Sequence, residues 1–355
     1  MKQQNIQVLR ILACFGVFVV HLGQRLEFCD SIKFFTDYGA MGVYLFFLVS
    51  GYVTFLSFEK TGGMVKVLHY YIIRFARILP VYYAVILCQL MYHTYILGDV
   101  PVDGTHLGWS RYIFCISRVI PANDVFWTNL NSTWTIGAFL LFYLIAPFLH
   151  RWIRNYNTAL NGWIVSYLIS FVLNRCLPGY FEPVVQMQYF LFGIVVYYIE
   201  KEKKISQGVS FYLISLFMII FLAFERQNGI WTLFFGLLVM GSRNLSVSNG
   251  FLRRCVNTID EYSYSIYLIH VTVMDYVDRW KLSHTENWRV QAFAIIICGS
   301  AVGVFLAHNL IEKPVYSFIK KHADYYMQDV DRNVNKGRLL VKPVQRLINL
   351  VHIFF

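Results

Sequence analysis

Arg10 and His21 interrupt the first apolar stretch of the chain, which runs from Ile6 to Leu22. Their separation of eleven residues corresponds to about 1100° of α-helical rotation, three turns plus about 20°, so both side chains fall on one face. They would stand about 16 Å apart along the axis. Ionisable groups inside a membrane helix are costly and mark functional paths that face protein. A guanidinium stays protonated and suits negative charge. An imidazole can take a proton or attack a carbonyl. Further along, Arg74-Phe75-Ala76-Arg77 places two guanidiniums on neighbouring helix positions, a pairing that suits phosphate oxygens. Ser263, Tyr267 and His270 form a polar stripe on another apolar segment, since residues three and four apart share a face.

These residues need helices to hold them. The chain has 355 residues, of which 57% are hydrophobic and only 14% charged, well outside the usage of a soluble domain. Ten apolar spans are expected, near 6–24, 38–58, 76–97, 131–149, 158–175, 186–199, 208–224, 229–241, 258–278 and 290–311. The sixth and eighth are short. Trp109–Ile120 is apolar but brief, and suits an interfacial or re-entrant piece within an outer loop. The fold class expected is all-α: one polytopic membrane helix bundle over 1–314, followed by a basic tail over 315–355. Val341–Phe355 alternates basic and apolar residues and suits the membrane surface.

The net charge of +11 does not call for nucleic acid, because the basic residues cluster in short segments between apolar runs. They are denser on the side of the N-terminus, at Lys60, Lys66, Arg74, Arg77, Arg151, Arg154, Lys201, Lys203 and Lys204, than on the other. The positive-inside rule then puts both termini in the cytoplasm. The first apolar run lacks a basic leader beyond Lys2 and a small-residue cleavage site, so it is expected to stay as a span. Seven cysteines show no metal-ligand spacing and read as small packing residues; no metal is expected. His93 and His308 read as structural buried histidines. Ser50-Gly51, in Gly42–Tyr52, permits close helix approach. Glu312-Lys313-Pro314 reads as a helix stop, because proline cannot continue the hydrogen-bond ladder.

Together these segments resemble the acyltransferase-3 family of bacterial integral-membrane acyltransferases. Arg10 and His21 are similar to its first-helix Arg/Lys-to-His motif, Gly42–Tyr52 to its "GVxLFFxLSGF" segment, and Arg74–Arg77 to its RxxR. Trp134, Tyr143 and Pro147 follow its Trp…Tyr…Pro pattern, Ser263–His270 its "SYxIYLxH", and Glu312–Pro314 its closing "E-x-P". The landmarks run from residue 10 to 314, in order. Many members carry a glutamate near the place where Gly137-Ala138-Phe139 stands here, so a role for that carboxylate does not carry over. Some also carry a fused extracytoplasmic domain, for which this chain has no room.

The resemblance implies transfer of an acyl group, acetyl before succinyl, from cytoplasmic acyl-CoA to a hydroxyl of an extracytoplasmic glycan or lipid-linked saccharide. Acyl-CoA is then a co-substrate, with no bound cofactor, and the site is a bacterial cytoplasmic membrane. Arg74 and Arg77 would grip the phosphates. The pantetheine arm would pass Arg10 and Ser50-Gly51, where a missing side chain leaves room. His21 would act as base or nucleophile, with His270 and Tyr267 supporting the acceptor or a second proton transfer. Trp134, Tyr143 and Glu312 are further site candidates. The rival class is a glycan or metabolite transporter using the same intramembrane His and Arg as its path.

Overall fold

The computed structural model describes residues 4–26, 39–58, 64–97, 110–116, 118–119, 133–202, 228–279 and 288–335. Within these the chain is helical, with no strand. The helices are α1 (Gln4–Leu26), α2 (Gly42–Phe58), α3 (Met64–Met91), α4 (Ser110–Ile113), α5 (Trp134–Trp152), α6 (Tyr156–Cys176), α7 (Glu182–Val185), α8 (Met187–Lys201), α9 (Asn228–Gly241), α10 (Gly250–Arg279), α11 (Trp288–Leu306) and α12 (Lys313–Asn335). A π-helical turn, Tyr92–Leu97, extends α3, and another, Ala307–Glu312, joins α11 to α12. Five described helical runs are long and apolar enough to cross a membrane: Gln4–Leu26, Gly39–Phe58, Val67–Ile96, Trp134–Trp152 and Trp288–Gln328. The expected span over 208–224, the side chain of His93, Cys29 and the segment Val341–Phe355 lie outside the described residues.

Helix α8 is buried along nearly its whole length, from Met187 to Ile199, and forms the centre of the bundle. Its closest neighbour is α2. Their backbones meet at Gly51 and Gly193, where an added Cβ would overlap the carbonyl oxygens of Phe190 and Leu48. Small residues let membrane helices gain van der Waals contact where lipid offers no hydrophobic drive. This corrects one expectation. The space beside Gly51 is filled by the Phe190 carbonyl and offers no room to a ligand.

Helices α1 and α10 run parallel, in a register set by polar pairs. Gln7 Nε2 donates to Asn257 Oδ1 (3.0 Å) and Asp260 Oδ2 (3.1 Å), and Arg10 bonds Asp260. One turn on, Cys14 Sγ contacts the Ser263 carbonyl oxygen at 3.6 Å; His21 lies against His270, and Arg25 reaches Met274 Sδ at 3.9 Å. Arg10 and His21 therefore do share one face, turned toward α10.

Pro314 does not stop the helix. The π turn before it bonds Lys313 N–H to the His308 carbonyl, five residues back. Pro314 follows as the second residue of α12, and the helix runs on through it to Asn335. Helix α12 lies against α3, and His69 Nε2 meets Asp324 Oδ1 at 2.8 Å while Lys320 Nζ bonds Asp324 Oδ2 at 2.6 Å. Residues 313–335 are thus a helix docked on the bundle. Helices α3 and α10 also begin earlier than the apolar runs, at Met64 and Gly250, because basic residues in their opening turns, Lys66 and Arg253-Arg254, break the hydrophobic run.

The brief segment after Trp109 is folded into the bundle. Tyr82 and Tyr83 hydroxyls donate to the carbonyls of Tyr112 and Ile113, each at 2.7 Å, and Arg111 is buried. Cys115 there adopts a left-handed φ of 58°. The six described cysteines are free thiols, two of them buried.

Candidate functional site

Helices α1, α2, α3, α5 and α10 enclose a cleft of about 110 Å³. Three guanidiniums, from Arg10, Arg74 and Arg77, line it together with Ser50, Tyr143 and Tyr267. Their sources explain their convergence. Arg74 and Arg77 project one turn apart from α3, and Ser50 lies on the stripe of α2 that includes Phe46 and Val53. Arg74 Nη2 is 3.5 Å from Thr54 Oγ1, and its guanidinium lies over the rings of Tyr143 (5.0 Å) and Tyr70 (5.5 Å). Neither Arg74 nor Arg77 forms an ion pair among the described residues. Cation–π contacts hold the Arg74 head without neutralising it.

Arg10 differs. Its Nε donates to Asp260 Oδ1 at 2.7 Å, and its Nη2 donates to the same oxygen. Asp260 is fully buried, while the Arg10 side chain is 23% exposed on the cleft side. Asp260 escaped the sequence reading. The rule that singles out Arg10, a charge inside an apolar span, applies equally to a carboxylate within 258–278.

His21 does not line the cleft. It stands beyond one further layer of rings. Its imidazole centroid is 5.4 Å from that of His270, and His270 is 6.1 Å from Tyr267, a cleft residue. Phe18 closes on His270 at 5.6 Å. His270 Nδ1 donates to the Ile266 carbonyl at 2.8 Å, since that oxygen can only accept. In the neutral imidazole this leaves the lone pair on Nε2, which is buried with no hydrogen-bond partner among the described residues. The arrangement is a cationic cleft at one depth and a histidine pair at another, separated by Tyr267.

Three sequence candidates sit elsewhere. Gly51 is in the α2–α8 contact. Trp134 packs edge-on against Phe47, 6.0 Å away, with Arg118 5.9 Å above its ring. Glu312 is buried behind the cleft, where its Oε2 accepts from Ser265 Oγ at 2.6 Å and meets His308 Nδ1 at 3.0 Å. The His308 ring also lies tilted against Tyr262, with centroids 4.2 Å apart. Glu312 and His308 thereby tie the π turn to α10. Phe46, Ile136 and Phe139 do line the cleft, but nothing in a run of apolar residues distinguishes them in sequence.

No match was found among curated proteins or among solved structures. A family model described as an acyltransferase domain matches residues 3–310, a stretch that holds the cleft, the histidine pair and all but the last two residues of the Glu312 turn. With the match extending over most of its length, the chain belongs to the acyltransferase-3 family of membrane acyltransferases.

Proposed function

We propose that the protein transfers a short acyl group, acetyl first, from cytoplasmic acyl-CoA to a hydroxyl of an extracytoplasmic glycan or lipid-linked saccharide. It would do so from a bacterial cytoplasmic membrane, with ten spans and both termini inside. The parallel course of α1 and α10 supports their being odd-numbered spans that cross in the same direction. The observation that carries the reading is the cleft whose Arg74 and Arg77 guanidiniums meet no carboxylate among the described residues. A guanidinium kept away from acidic partners on an interior wall is suited to an anionic ligand, and phosphate matches its fork.

In this reading Arg74 and Arg77 hold the CoA phosphates, and the acyl-bearing arm extends toward Tyr267 and the histidines. His21 takes the proton from the acceptor hydroxyl. The acceptor oxygen forms the new C–O bond, the C–S bond breaks, and CoA leaves as a thiolate that is reprotonated from His21. His270 and Tyr267 hold the His21 ring and the acceptor in line. Arg10, pinned by Asp260, faces the donor with its exposed edge. Lipids complete the outer surface of the bundle.

Membranes containing the protein should move radiolabel from [acetyl]-CoA to a glycan fraction, and membranes lacking it should not. Absence of transfer, with movement of an unmodified glycan across the bilayer, would replace this reading with transport. Initial-rate patterns add a second check. Intersecting double-reciprocal lines are expected for direct attack, and parallel lines would make His21 the acyl carrier.

Replacing Arg74 and Arg77 by Ala should raise the acyl-CoA requirement by about tenfold or more for each guanidinium, the usual worth of a charge-assisted hydrogen bond. The amount of folded protein should stay level, because neither side chain is in an ion pair among the described residues. An unchanged KM for acyl-CoA would reject the phosphate grip.

A further inference from the structure

The cleft is not uniform along its length. Arg74 marks one level, through its contact with Thr54 on α2 and Tyr143 on α5. Phe46 lies eight residues before Thr54 on α2, about 12 Å away along the axis. On α5, Ile136 lies two turns before Tyr143, and on α10, Tyr267 lies one turn beyond Ser263. Three helices therefore carry the cleft from a cationic level to an uncharged one, where Phe46 and Ile136 stand beside the hydroxyls of Thr135 and Tyr267. At that far level Phe46 meets Tyr267 edge to face, with centroids 5.9 Å apart. Tyr267 in turn backs onto His270. Ile136 is 1% exposed and closes the side of this wall. The void along this path is about 110 Å³.

We infer that Phe46, with Ile136 beside it, is the residue that sets acyl-chain length, restricting the donor to short acyl groups. The inference rests on the acyl-CoA reading above and adds to it the identity of the wall the acyl group meets. The end nearest the histidines is the end where the acyl carbon must arrive, so the side chains there contact the group that differs between donors. Phe46 is the one of them that packs edge to face on Tyr267. It makes no hydrogen bond, so its role in the wall is one of volume. An apolar wall discriminates by the methylenes it has room for, and each costs about tenfold or more when it does not fit.

The test uses the full-length protein in lipid nanodiscs with acetyl-, butyryl- and hexanoyl-CoA. Two readouts are taken, donor-induced rise in the thermal unfolding midpoint and release of free CoA thiol. The unmodified protein should favour acetyl over hexanoyl by about tenfold or more. Phe46→Ala should bring that ratio to within about twofold, and Phe46→Trp should penalise butyryl further. Ile136→Val reads the same wall with a smaller change in the core, and should shift the ratio in the same direction as Phe46→Ala. Equal use of all three donors by the unmodified protein would overturn the inference. So would an unchanged ratio in folded Phe46 and Ile136 variants, while leaving the acyl-CoA reading intact. No response of folded protein to any of the three would overturn both.

Discussion

His21→Ala is expected to lower acyl transfer by about 10²-fold to 10⁴-fold, the range that a positioned proton acceptor contributes. The reason lies in the ring layer. His21 meets His270, and His270 has its Nδ1 committed to the Ile266 carbonyl. The second histidine therefore cannot swing into the vacated place without losing that bond. Donor binding should persist, because the guanidiniums of the cleft lie a full ring layer away. The informative measurement pairs transfer rate with donor-induced stabilisation in the same preparation. Loss of the first with retention of the second is expected. Transfer at the unmodified rate would remove His21 from the chemistry, and loss of both would make it a folding residue.

The second large effect concerns Arg10. Its substitution by Met should cost stability as well as activity, because it removes the guanidinium from the fully buried Asp260 carboxylate. Breaking a buried pair by removing one partner costs about 3–5 kcal/mol. Gln7 still donates to Asp260, which offsets part of this. Asp260→Asn should cost less, since the guanidinium left behind is partly exposed to the cleft. The double replacement Arg10→Met with Asp260→Leu should recover most of the lost stability, as isosteric apolar pairs do for buried ions. It should not recover activity if Arg10 faces the donor. Thermal unfolding of the four proteins gives the coupling energy, and their transfer rates separate the support of the fold from the service to the donor. A double variant as active as the unmodified protein would confine Arg10 to architecture.

Much of this site was legible before any coordinates. The interval between Arg10 and His21 fixes their shared face, and α10 indeed receives both. The i, i+3 spacing of Tyr267 and His270 puts them in one ring layer. Partners distant in sequence were not legible. Asp260 stands 250 residues from Arg10, and no local pattern announces their pairing. The role of Gly51 turned on a neighbour as well. A missing side chain can admit a ligand or a backbone, and only the position of Phe190 decides. The starts of α3 and α10 were hidden for a different reason: the unbroken apolar run that marks each begins a full turn or more after the helix does.

The π turn at Ala307–Glu312 also governs how one continuous helix serves two environments. A single extra residue per turn rotates everything after it by about 100° relative to an unbroken α-helix. The stripe that α11 turns toward its neighbours and the stripe that α12 turns toward α3 are therefore out of phase in sequence, though they follow one another without a loop. The turn acts as a phase shifter. It lets Asp324 face His69 while the exposed flank of α11, with Val302, Phe305 and Leu306, keeps its outward bearing. The hydrogen bonds of Glu312 and His308 hold that offset fixed, so the orientation of the last helix is set from inside the bundle.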